Sequence, residues 1–221
     1  MSLETFLIIA HGQTLFSLLG FLLTLRAKPS QSVVRIMGLL FLFSFLAQIG
    51  SLALGKPGFD IANPNYSASL YGILEVPLLS WLYFSAVGQK NYGRVFASIA
   101  VAFVLFATYN LVFIQKESIN SYSLIVGSII TILYSLFYFY WLLRELPTLH
   151  LHKFPMFWIN SGWIIFSSGN LFLFAFTSYL VNVLNNNLLY YWSMFNFLAI
   201  IKSSMIVYGI WLDRQNTKSH S

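Results

Sequence analysis

Seven apolar runs, each close to the length of one membrane crossing, constrain this chain more than any other feature of its sequence. A helix needs about 20 mostly apolar residues to cover a hydrocarbon core of roughly 30 Å. The runs fall at 5–25, 33–54, 68–87, 93–114, 119–143, 155–180 and 188–212. Turn chemistry or charge separates them at 26–32, 55–65, 88–93, 115–118, 144–153 and 182–187. The expected fold is therefore all-α: a polytopic membrane protein with residues 1–221 forming a single transmembrane domain of seven helices.

Composition excludes the soluble alternative. Hydrophobic residues make up 58% of the chain and charged ones 8%, against roughly 25% charged in soluble domains. A soluble fold of this size has too little interior to hide so much apolar surface, whereas lipid solvates it. The chain has no cysteine, which removes disulfides, thiolate metal sites and cysteine nucleophiles. The net charge of +6 would suggest nucleic acid in a soluble protein. Here it follows alternate loops, and no nucleic-acid partner is expected.

Those loop charges set an orientation. With the N-terminus outside, the cytoplasmic segments hold Arg26, Lys28, Arg35, Lys90, Arg94, Arg144, Lys153, Arg214 and Lys218, and the outer ones only Lys56 and Lys116. Nine against two, in short loops, follows the positive-inside rule. Eight spans would break this regularity, and six would discard a long apolar run. The first run has Glu4 before it and no clear small-x-small cleavage site, so it is expected to be a retained helix. The C-terminal WLDRQNTKSHS is expected to be a short polar tail. No internal repeat is apparent, and an inverted-repeat transporter has no direct support.

A charged side chain in lipid costs a few kcal/mol or more and turns toward the bundle interior or an aqueous cavity. Two such residues lie deep: Glu75 in the third run and Lys202 in the seventh. Each is about two residues from the midpoint of its helix, on opposite sides, so their backbone heights differ by about 6 Å. A lysine reaches that far if the two helices are neighbours. Their pairing is either a structural ion pair, with Lys202 snorkelling as its alternative, or a site for ligand, proton or chromophore. Tyr71, Glu75, Leu78 and Leu82 share one face, and Pro77 leaves the carbonyl of Ile73 without its helical partner.

Other polar residues cluster by depth. His11, Gln48, Asn110, Asn170 and Asn196 fall in the outer halves of their spans. The sixth helix carries Asn160 and Ser167 seven apart, with Asn170 and Thr177 likewise; Asn196 and Ser203 share a face of the seventh. Together they either line an outward-facing polar pocket above Glu75 or hydrogen-bond between helices. His11 alone suits a helix contact better than a metal, and His150 and His152 belong to a solvated loop. Trp158, Trp163, Trp192 and Trp211, with Trp81 and Trp141, are expected at the lipid–water interface. The aromatics at 137–140 surround their helix and suit packing and lipid contact.

No zincin or serine-hydrolase motif occurs, so no catalytic residue, metal or cofactor is assigned and catalysis is the weakest reading. FPMFWINSGWIIFSSGNLFLF at 154–174 and NFLAIIKSSMIVYGIWL at 196–212 resemble small seven-helix membrane proteins of Bacteroidetes, often encoded beside sensor histidine kinases. That resemblance implies a bacterial inner-membrane protein, a sensory or accessory module with membrane lipid and a sensor-kinase partner around it. A lysine in helix 7 and a carboxylate in helix 3 also resemble the gross plan of microbial rhodopsins. That plan implies retinal on Lys202 with Glu75 as counter-ion, although Leu198 stands where such proteins carry an aspartate, and Leu70 and Tyr71 replace their helix 3 arginine and aspartate. A small transporter or channel using Glu75 is the third possibility.

Overall fold

The structure is a computed structural model describing residues 3–25, 32–54, 66–115, 120–145, 151–176 and 188–219. Among these there are seven α-helices and no strand. They are α1 (Leu3–Thr24), α2 (Ser32–Leu54), α3 (Tyr66–Val87), α4 (Gly93–Tyr109), α5 (Ser121–Glu145), α6 (Pro155–Ala175) and α7 (Leu188–Ser219). Single 3₁₀ turns at Lys90–Tyr92 and Leu151–Lys153 precede α4 and α6. Pro155 sits in the first turn of α6, where its missing N–H leaves no helical bond unmade. Pro77 lies inside α3 without ending it.

Six of the helices are long and apolar enough to cross a membrane. The exception is α6, which is long enough and carries no acid or base; its polar residues lower its hydropathy. Large apolar side chains are exposed on every helix, Leu105, Leu143 and Phe172 by about two thirds. An aqueous protein avoids such a continuous apolar exterior. The chain is a multi-pass membrane protein.

Two boundaries differ from the sequence expectation. The run at 93–114 is α-helical only to Tyr109 and closes in a π-helical turn at Asn110–Ile114. The polar tail expected after residue 212 is instead a continuation of α7 to Ser219. No proline follows Gly209, and the Asp, Arg, Gln and Lys of that stretch are compatible with helix once outside lipid. The end of the sixth run, the loops at 26–31, 55–65 and 116–119, and Thr177, His150, Lys56 and Lys116 lie outside the described residues.

The packing order is α1–α2–α3–α5–α6–α7, with α7 returning to α1. Six helices thus close a ring. The remaining helix, α4, packs mainly on the outside of α3. Two glycines let α6 and α7 approach: a Cβ on Gly209 would lie 2.7 Å from the Pro155 carbonyl oxygen, and one on Gly162 3.1 Å from that of Lys202. Small residues permit such backbone contact in membrane bundles.

The two halves of the ring are filled differently. Toward the ends where α2 and α6 begin, Ile36, Met37, Leu82, Ile159, Ile206 and Ile210 form a closed apolar core. A polar network pins it: the Tyr83 hydroxyl donates to Asn160 Oδ1 (2.6 Å) and meets Ser135 Oγ (2.9 Å), while Asn160 Nδ2 donates to the Ser135 carbonyl (3.1 Å). Ser80 Oγ joins Tyr134 at 2.8 Å. Asn160 is thus a structural tie between α3, α5 and α6.

Candidate functional site

The other half of the ring encloses a cavity of about 490 Å³, within the usual range of roughly 300–1,000 Å³ for small-molecule sites. Every one of the six ring helices contributes to its wall, and α4 contributes nothing. The lining comes from the first halves of α1, α3, α5 and α7 and the second halves of α2 and α6. It is therefore confined to the half holding the start of α1.

Glu75 and Lys202 both line this cavity, with Lys202 Nζ 3.7 Å from Glu75 Oε1. Helices α3 and α7 do not pack side by side as the sequence argument required; the two side chains meet across the ring interior. The Tyr71 hydroxyl donates to the same carboxylate oxygen at 2.9 Å. Lys202 has its ammonium over the rings of Trp163 (4.1 Å) and Phe166 (3.7 Å), a cation–π arrangement. Trp163 is only 1% exposed, packed against Lys202, and is not the interfacial ring expected from sequence. The lysine is the better covered partner, 8% exposed against 17% for Glu75. Snorkelling is thereby excluded as its placement.

Of the remaining sequence candidates, Gln48, Tyr71, Asn170 and Asn196 also line the cavity. Gln48 Oε1 accepts from Thr14 at 2.8 Å, tying α2 to α1. His11 and Asn110 do not line it. His11 is exposed on the outer face of α1, because two residues turn a helix by about 200° and Gln13 takes the inner face instead. Asn110 sits in the π-helical turn after α4, behind the cavity wall and not on it. It is fully buried, donating to Gln115 Oε1 (2.8 Å), to Asn120 Oδ1 and to Ser123 Oγ (3.2 Å). Asn110 thereby clamps the π-turn onto the start of α5.

Sequence reasoning missed Gln13, Ser44, Asn120, Ser128 and Thr131, all of which line the cavity. The signal existed in small and polar residues spaced three or four apart: Ala10–Gln13–Ser17 in α1, Ser44–Ala47–Gln48–Ser51 in α2 and Ser128–Thr131–Ser135 in α5. Two wall groups stand out. Gln13 (4% exposed) and Asn170 (1%) have carbonyl oxygens without a hydrogen-bond partner among the described residues. Buried amides normally find one, so these two oxygens are left unmatched in the packing of the cavity wall.

Among the described residues no group of His, Asp and Glu could hold a metal. Comparison with known protein families, characterised proteins and solved structures gives no match.

Proposed function

We propose that the chain is a non-catalytic sensory or accessory module of the bacterial inner membrane that binds a small ligand in its outer half. The observation that carries this reading is the position of the cavity: a chamber with polar side chains set in a mostly apolar wall, in one half of a closed ring, above a packed apolar half. Such a chamber takes up a molecule from one side and has no through-route. The loop charges support placing that side outside, with seven spans and a cytoplasmic C-terminus. The place of α6 in the ring between α5 and α7 supports counting it as the seventh span. The resemblance of the last third to proteins found beside sensor kinases supports such a kinase as the partner.

A ligand screen tests this on protein in lipid nanodiscs, read by thermal stability, with amines, amino acids, sugars, nucleosides and fatty acids. A cavity ligand stabilises the wild type and loses its effect in Ser128→Phe, which fills the wall. If no member acts in a way that Ser128→Phe removes, the reading is wrong.

One observation favours a second reading. Lys202 opens on the cavity with a carboxylate beside it, so its amine is reachable by an aldehyde such as retinal. A visible band on adding all-trans retinal, absent in Lys202→Ala, would decide for it. Transport through Glu75 would require the sealed half to open, and uptake that survives Glu75→Gln would end that idea.

A further inference from the structure

The cavity carries one acid and one base among its described wall residues, Glu75 and Lys202. Their separation of 3.7 Å is well beyond the roughly 2.7–2.9 Å of a charge-assisted hydrogen bond. Among the described residues both polar contacts of Glu75 fall on Oε1, and none falls on its second oxygen. The pair is close enough to neutralise each other and too loosely joined to satisfy each other.

Charge balance then selects the guest. A cation adds an uncompensated positive charge to a neutral, poorly solvated site, and an anion a negative one; either is costly in a low-dielectric interior. A guest carrying both signs adds neither. Resting on the ligand-cavity reading above, we propose that this cavity binds an α-amino acid, its ammonium on Glu75 and its carboxylate on Lys202. The two ends of that head group are one carbon apart, so the four charges alternate around a small ring whose fourth side is the existing 3.7 Å gap. Each new side is an ordinary charge-assisted hydrogen bond.

The wall describes the rest of the molecule. Phe174, Phe195 and Trp192 line the same cavity, which suits a large apolar side chain. No arginine or histidine lines it among the described residues, so phosphorylated and multiply acidic ligands find no second cation beside Lys202.

The test compares L-phenylalanine with two relatives that each lack one charge, phenylalaninamide and N-acetyl-phenylalanine, by calorimetry in nanodiscs. L-Phenylalanine is expected to bind, and each relative to bind about tenfold more weakly or worse, as the loss of a hydrogen bond to a charged group implies. Because a lone charge left in the bundle endangers folding, the protein control is the double variant Glu75→Gln/Lys202→Met, which keeps the site neutral. It is expected to fold, keep its cavity and lose L-phenylalanine. Equal binding of phenylalaninamide, or full binding by the double variant, overturns the proposal. Should a sugar or simple amine bind in a manner that Ser128→Phe abolishes while no amino acid binds, the cavity reading stands and this inference falls.

Discussion

Replacing Tyr83 by Phe is expected to destabilise the bundle by about 2–4 kcal/mol while leaving ligand binding intact. The Tyr83 hydroxyl hydrogen goes to Asn160 Oδ1, so Ser135 Oγ donates to the Tyr83 hydroxyl oxygen. Deleting that oxygen orphans an acceptor on Asn160 and a donor on Ser135, both 0% exposed. Neither can turn to water. Two lost bonds at the membrane-bundle average of about 0.6 kcal/mol each account for about 1 kcal/mol, and stranded buried groups add about 1–3 kcal/mol more. The ring itself stays, still packed on Tyr134 (5.5 Å) and Tyr138 (6.1 Å), so no cavity term enters. Tyr134→Phe is the internal comparison. Its partner Ser80 already donates to the Val76 carbonyl at 2.8 Å, so that change strands no donor and should cost about 1 kcal/mol or less. Unfolding by SDS titration in mixed micelles, followed by far-UV circular dichroism, compares the two. If Tyr83→Phe lies within about 0.5 kcal/mol of the wild type, or matches Tyr134→Phe, the network is not what pins the sealed half.

Two other predictions follow from contacts. Gly209→Val drives a Cβ onto the Pro155 carbonyl oxygen, 2.7 Å away, and should cost about 1–3 kcal/mol by forcing α6 and α7 apart. Gly12→Ala meets only Ile200 Cδ1 at 3.7 Å and should be neutral or slightly stabilising; comparable losses for the two would refute the close approach. For Glu75→Gln and Lys202→Met, a double-mutant cycle in the same assay should show favourable coupling of about 1–3 kcal/mol. Coulomb attraction at 3.7 Å amounts to about 4–5 kcal/mol at an effective dielectric of 20, and desolvation offsets much of it. Zero coupling would mean that the charges are solvated independently.

Helix number, most span limits and the similar depth of Glu75 and Lys202 were legible because apolar length and isolated charge are one-dimensional signals. Helix order in space was not. The α4 segment has the highest hydropathy of the spans, which suits a helix outside the ring, but Asn110 at its end was read as a wall residue when it closes a turn. For His11 the error was of rank: histidine draws notice ahead of glutamine, yet the helical period puts Gln13 on the face with Phe6, Ala10 and Ser17. Trp163 was assigned to the interface by its distance from the helix start. Its burial under Lys202 depends on α7 crossing α6 at Gly162, a tertiary contact with no local trace.

The case of α6 shows why polarity and position are linked. It is the helix that falls short as a membrane span by composition, and it bears Asn160, Ser167 and Asn170, all at most 3% exposed. A helix facing lipid on most sides has few places to hide such groups. In the ring, α6 packs between α5 and α7, and its inner face divides its polar residues between two tasks. Asn160, in the sealed half, is bound by Tyr83 and Ser135; Ser167 and Asn170, a few turns on, line the cavity, where the Asn170 carbonyl has no partner among the described residues. The same stripe thus passes from the bonded network of the packed half to the cavity wall at the level of Lys202. A segment of low hydropathy in a membrane protein is in this instance the inner wall of a site, and the point along it where hydrogen bonds cease to be satisfied marks the floor.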